Sequence, residues 1–137
     1  MAKNGFSMSN RVAVEDITAS KTLTVDDCGK NFVVTTAGAA VTVTLPTLAS
    51  AGTGWNATFF VVSGSSAGNV KVTSQAADLY FRGIITGADA GGSANTTALT
   101  SIQLGSATVK TGDQIEVVAG EDQWQAIVWA SGTITTA

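Results

Sequence analysis

The sequence predicts an all-β domain, on three observations. Short runs rich in Val, Ile and Thr alternate apolar with polar residues along most of the chain. Clusters of Gly, Ser, Asn and Asp separate those runs at intervals of about 8–12 residues, the spacing of a sandwich or barrel. No window carries a helical period with caps. Together these predict an antiparallel β-sandwich, jelly-roll-like, over residues 12–137, preceded by a short flexible arm over residues 1–11. A chain of 137 residues fits one such domain and leaves no room for a second core.

The arm is polar apart from Phe6 and Met8. Thr22-Leu23-Thr24-Val25 then alternates, Asp26 to Asn31 supplies a turn, and Phe32 to Thr36 reads as the returning strand. Ala37-Gly38-Ala39 breaks it. Val41-Thr42-Val43-Thr44-Leu45 has period two, with Val41, Val43 and Leu45 inward and the threonines outward. Pro46, the only proline, ends that strand because it cannot donate to a ladder. Trp55 to Val62 is apolar on both faces in its second half, which marks a central strand covered on both sides.

Ser63 to Asn69 is a turn cluster, after which Val70-Lys71-Val72-Thr73 resumes the alternation. Leu79 to Ile85 is a candidate strand bulged at Gly83. The stretch from Thr86 to Asn95 carries the weakest structural signal. Leu99 to Leu104 and Ala107 to Lys110 read as short strands. Gln114 to Val118 and Gln123 to Trp129 flank Ala119-Gly120-Glu121-Asp122 as a hairpin.

Composition excludes several functions. Charged residues make up only 12% of the chain, about half the usual share, and 45% is hydrophobic. Such a surface suits a protein that works packed against others, although a Thr-rich β-protein with a mild surface has the same composition. The net charge is −3, and five lysines and two arginines are scattered without a run, so no nucleic-acid footprint exists. Cys28 is the only cysteine, which rules out an internal disulfide. The first eleven residues lack the apolar segment of a signal peptide, and no stretch has the length of a membrane span. A soluble protein made in the cytoplasm is the expectation.

Catalytic chemistry finds few candidates. With no histidine, the commonest general base and metal ligand are missing. Cys28 sits in a polar turn and reads as a semi-buried free thiol. Glu15-Asp16, Asp26-Asp27 and Glu121-Asp122 are adjacent carboxylates at turns or strand ends, where solvated turn residues outweigh a glycosidase pair. The Gly-rich stretch from Gly83 to Gly92 lacks a phosphate-loop signature, and Asp78 and Asp89 lack calcium-loop spacing. Trp55, Trp124 and Trp129 can stack on sugars, but core packing is favoured for two of the three. The chain is therefore read as a non-enzyme without cofactor or metal.

One run has a further likeness. Thr22 to Val34, with its Asp26-x-x-Gly29 turn, leads into Val41-Thr42-Val43-Thr44-Leu45-Pro46; later, Gly112 to Val118 precedes Gln123-Trp124-Gln125-Ala126. This series, over roughly residues 18–130, resembles small β-domains of tailed-bacteriophage virions, above all head-decoration (cement) and head-fibre proteins. The resemblance implies a β-sandwich or jelly roll, a place on the outer capsid surface and a homotrimer. Its partners would be the major capsid protein and copies of itself, with no nucleic acid, membrane or small-molecule substrate. A tail-fibre, spike or baseplate-associated adhesin module is the alternative, and a carbohydrate-binding module a further one.

Candidate contact residues are Phe6 and Met8 in the arm, and Phe60 and Trp129 in the two strands apolar on both faces. A small sandwich gives each sheet one inner face, so apolar residues pointing outward need a second cover. A neighbouring copy supplies that cover in an oligomer. The rival is a barrel or an inserted loop that covers them within one chain.

Overall fold

The computed structural model describes residues 12–36, 38–62, 68–75, 81–86, 93–105 and 109–136. Phe6 and Met8, with the rest of the arm, lie outside the described residues. In chain order the elements are β1 (Val14–Ile17), β2 (Lys21–Thr22), β3 (Lys30–Val34), β4 (Val41–Thr44), the one-turn helix α1 (Leu48–Ala51), β5 (Asn56–Val61), β6 (Val70–Thr73), β7 (Phe81–Thr86), β8 (Ser93–Leu99), β9 (Ser101–Leu104), β10 (Gln114–Ala119), β11 (Trp124–Trp129) and β12 (Ile134–Thr136). The all-β expectation holds: among the described residues, helix is confined to α1 and a single 3-10 turn at Val25–Asp27.

Two sheets result. One has seven strands in the order β1-β3-β5-β10-β11-β7-β8, and the other five in the order β12-β9-β6-β4-β2. Both are mixed, which corrects the antiparallel expectation. The reason lies in the path of the chain. From β1 to β6 each successive strand enters the other sheet, so the chain returns to each sheet running in its earlier direction. Hence β1–β3–β5 and β2–β4–β6 are parallel triplets, unlike the antiparallel pairing of a jelly roll. Period-two alternation reports which side chains face inward; it is silent on whether the neighbouring strand is parallel.

Inward residues of both sheets form one hydrophobic core. Val41, Val43 and Leu45 are buried as their alternation predicts, and Val70 and Val72 stand beside Val41 and Val43 in the next strand. In the larger sheet, Phe32 of β3 pairs with Phe59 of β5, and their rings stack with centroids 5.4 Å apart. Trp55 and Trp124 are buried edge-to-face at 5.5 Å, and the Trp55 Nε1–H donates to the Val25 carbonyl at 3.2 Å. Two of the three tryptophans are core residues, as the sequence indicates.

Elsewhere the boundaries differ from expectation. β2 stops at Thr22, because the Asp27 carboxylate accepts the Thr24 N–H at 2.9 Å and draws residues 25–27 into a 3-10 turn. Val109 and Lys110 belong to a loop rather than a strand: the Val109 N–H donates to the Gly105 carbonyl at 2.8 Å and the Lys110 N–H to Asp113. At the ends of the weakly signalled stretch, Thr86 closes β7 and Ser93 opens β8; residues 87–92 lie outside the described residues. The predicted hairpin is β10–β11, closed by the Gly120 N–H donating to Gln123 at 2.9 Å. The bulge at Gly83 is a register shift between Phe81 and Gly83 in the β7–β8 ladder.

Candidate functional site

Strand register places the candidate contact residues on one line. Across the larger sheet, Asp16 of β1 stands opposite Val33 of β3, Val33 opposite Phe60 of β5, Phe60 opposite Gln114 of β10, and Gln114 opposite Trp129 of β11. Residues opposite one another across neighbouring strands share a face. The residues on either side of this row, such as Val34, Phe59, Ile115 and Val128, are buried in the core, so the row itself faces outward. Phe60 and Val33 are half-buried, while Trp129 keeps 49% of its surface exposed. The structure thus brings Phe60 and Trp129 together, two strands apart on one outer face.

The next outward row runs Val14, Asn31, Thr58, Glu116, Ile127. Val14 is 63% exposed and Ile127 half-buried. Over the five strands β1, β3, β5, β10 and β11, the charged side chains of this face are Asp16 and Glu116. The five-stranded sheet is different. Its outward positions are Thr42, Lys71, Gln103 and Thr135 in one row and Thr22, Thr44 and Thr73 in another. Over those five strands the outer face of the larger sheet is therefore Val, Ile, Phe and Trp interleaved with amides, Thr58 and two carboxylates; that of the smaller sheet is Thr, Lys and Gln.

The expected second cover does not come from barrel closure. Among the described residues neither sheet closes on itself, and β1 and β8 end the larger one. At the β1 edge an inward position holds a charge instead of an apolar residue: Glu15 stands opposite Phe32 in the register. An inward charge on an edge strand discourages further strand pairing. Glu15 is ion-paired to Lys21, and to Lys30 at 3.1 Å; Lys30 also reaches Asp27 at 2.6 Å, and Lys21 lies 5.6 Å from the Phe32 ring centroid. The two lysine hydrogen bonds hold the Glu15 carboxyl below its ordinary range. Burial pushes Asp27 up, but the Lys30 hydrogen bond, the Thr24 N–H and the charges of both lysines outweigh it, and its carboxyl is lowered. The Asp27 and Glu15 partners raise Lys30 in turn.

This cluster corrects the reading of Asp27 as a solvated turn carboxylate, since the residue is only 6% exposed. Its neighbour Asp26 is exposed. Cys28 is exposed rather than semi-buried. Asp113, 4% exposed, carries no signal in the alternation. Its carboxylate accepts from the Lys110 N–H and from the Ser131 N–H and hydroxyl, each at 2.8 Å. It ties the entry of β10 to the turn after β11, a structural task. A Thr-Gly-Asp turn just before a strand is the only trace such a clamp leaves in the sequence.

Among the described residues, no group of three or more Cys, Asp and Glu is placed to hold a metal ion. No helix of these residues is long and apolar enough to cross a membrane. No protein-family model and no curated protein matches the chain. The outer face of the larger sheet remains the strongest candidate site, and what it offers is a contact surface with an aromatic anchor.

Proposed function

We propose that this chain is a non-catalytic structural protein of a tailed-phage virion, a homotrimer that decorates and stabilises the outside of the capsid by non-covalent contacts. Its two sheets are the layers of a sandwich. The larger sheet turns its outer face toward a partner, and the smaller turns its Thr-, Lys- and Gln-bearing face toward water. The observation that carries this reading is the outward row Val33–Phe60–Gln114–Trp129, which sets a half-exposed tryptophan and a half-buried phenylalanine on one face, on either side of Gln114. Aromatic anchors ringed by neutral polar groups are the usual composition of an interface centre. The virion setting comes from the likeness of the Thr22–Pro46 and Gly112–Ala126 runs to decoration proteins.

In that role the protein acts by mass action. Binding the assembled shell and not its free subunits, it stabilises the shell in proportion to occupancy. Many copies, each with a modest interface, bridge neighbouring capsomers through multivalency. The test is to incubate the purified protein with undecorated phage capsids and locate it by electron cryomicroscopy. Ordered density over the whole shell is expected, with greater resistance of the particles to heat. Density confined to the tail would replace this reading with the adhesin one. No density, with measurable affinity for a polysaccharide, would replace it with a carbohydrate-binding module.

A further inference from the structure

We infer that the outer face of the larger sheet receives residues 1–11 of a second copy, with Phe6 and Met8 seated on the Phe60–Trp129 row. This deepens the contact-face reading above and does not depend on the capsid. Three observations lead to it, beginning with charge. The segment carries Lys3 and Arg11 and no acidic residue. The outward-facing charges of β1, β3, β5, β10 and β11 are the carboxylates of Asp16 and Glu116, while Glu15 and Lys30 lie on the inward side and pair with each other. Arg82, the next cation by register, stands opposite Gln125, four residues along β11 from Trp129. Segment and face are therefore of opposite sign at close range, which favours and orients their encounter.

Apolar pattern is the second. Phe6 and Met8 are the large apolar side chains between Lys3 and Arg11, and their i, i+2 spacing puts both on one side of an extended segment. An extended segment crossing the strands with that side down lays two anchors on a row whose own two anchors are Phe60 and Trp129.

Reach is the third, and it decides between a chain's own segment and its neighbour's. Val12 begins the described chain beside β1, four residues before Asp16, which heads the row. From there the row lies about 13 Å along the strand; Phe60 is about 10 Å and Trp129 about 19 Å across it, at about 3.3 Å per residue and 4.8 Å per strand. A segment riding on the sheet about 10 Å above its mean plane therefore needs about 19 Å to meet Phe60 and about 25 Å to meet Trp129. Met8 lies four residues from Val12 and Phe6 six, which span at most about 14 Å and about 22 Å. A chain's own segment cannot put its two anchors on both aromatic residues. A second copy has no such tether, and successive copies passing segments around a ring give closed cyclic symmetry.

Cysteine pairing tests this on the full-length protein in solution. In a Cys28→Ser background, chosen because Cys28 is exposed, one chain carries Met8→Cys and a second, mass-tagged chain carries Gln114→Cys. After mixing and mild oxidation, the expected result is a mixed disulfide joining tagged and untagged chains. Adding Trp129→Asp to the tagged chain should lower its yield at least tenfold, with the circular dichroism spectrum unchanged. No mixed disulfide between well-folded chains would overturn the inference. So would a double variant, Met8→Cys with Gln114→Cys, that closes only within single chains. Capsid binding does not enter the readout, so a negative cryomicroscopy result leaves this one standing.

Discussion

Phe60 and Trp129 lie on opposite sides of the same residue: Gln114 pairs in register with Phe60 across one strand boundary and with Trp129 across the other. Their rings thus flank an amide on a sheet whose opposite face is the hydrophobic core. Position along the chain, 69 residues apart, conceals this proximity. Burial separates the two roles within each strand. Phe59 and Val128, one residue earlier in each case, are fully buried, whereas Trp129 is half-exposed.

That difference makes Trp129 separable from stability. Trp129→Lys should keep the far-ultraviolet circular dichroism of the native protein and shift unfolding by no more than about 1 kcal/mol, as surface changes do. Light scattering at micromolar concentration should show loss of self-association in the same variant. Trp124→Ala is the contrast, because it empties a fully buried site. It should cost about 3–5 kcal/mol in urea unfolding. If Trp129→Lys unfolds the monomer, the outer face is not a free contact surface.

The charged cluster at the β1 edge sets an acid limit. Glu15 and Asp27 are lowered in the folded protein from ordinary values of 4.5 and 3.8, so the unfolded chain binds more protons as acid is added. Their contribution is complete above those ordinary values and is lost as pH falls through the lower folded ones. Lys30 is raised from 10.5, so its share is complete below that value and is lost only at more alkaline pH. Thermal denaturation should therefore show a flat midpoint through neutral pH and a fall below about pH 4.5. Replacing Glu15 and Asp27 together by Gln and Asn should flatten the acid limb. An unchanged limb in the double variant would remove the cluster as its cause.

Asp113 should be among the most sensitive polar positions. Asp113→Ala leaves the Lys110 and Ser131 N–H groups without their acceptor. Both donors belong to exposed residues and can turn to water, so the loss is the net worth of hydrogen bonds to a charged acceptor, about 1.5–3 kcal/mol each. Asp113→Asn keeps one carbonyl oxygen and should recover part of the loss. Chemical denaturation of the two variants measures the difference, and equal stability of Asp113→Ala and the parent would refute the clamp.

Gly68 is a site of close backbone approach. A Cβ there would stand 2.3 Å from the Ala39 carbonyl oxygen and 2.6 Å from the Thr36 Cβ. Relief requires moving the backbone that leads into β4, whose first N–H, of Val41, donates to the Asn69 carbonyl at 2.8 Å. Gly68→Ala should destabilise by about 1–3 kcal/mol, the range of overpacking. Calorimetry of that variant beside Gly54→Ala separates steric crowding from conformational strain, since Gly54 has open space but a φ of 90°.

Exposure of Cys28 predicts fast chemistry at the thiol. A thiol reagent should label the native protein about as fast as the denatured one, without prior opening. Protection by more than tenfold would show that the turn at residues 28–29 is covered.

Strand positions and facing were legible in the sequence wherever alternation was clean. Val41 to Leu45, Val70 to Thr73 and Gln114 to Val117 carry their burial pattern in their residue types, because a β-strand has period two and one buried side, whereas Phe59-Phe60-Val61, apolar on both faces, does not show which side is buried. β1 and β12 were not legible. Glu15 interrupts the inward side of β1, and β12 is only three residues long. The contact candidates Phe60 and Trp129 were visible as excess apolar residues, but the Gln114 that joins them was not, since an amide on a strand has no distinctive pattern.

By itself the sequence determined an all-β chain with buried Val, Ile and Leu, two core tryptophans and little charge, because side-chain hydrophobicity and branching act locally. Only the tertiary structure decided that the sheets are mixed, that Asp27 and Asp113 are buried, and that Phe60 and Trp129 share a row. Those features depend on which strands become neighbours. Neighbour choice follows from the chain crossing between sheets after each of its first five strands, a path that no local alternation encodes.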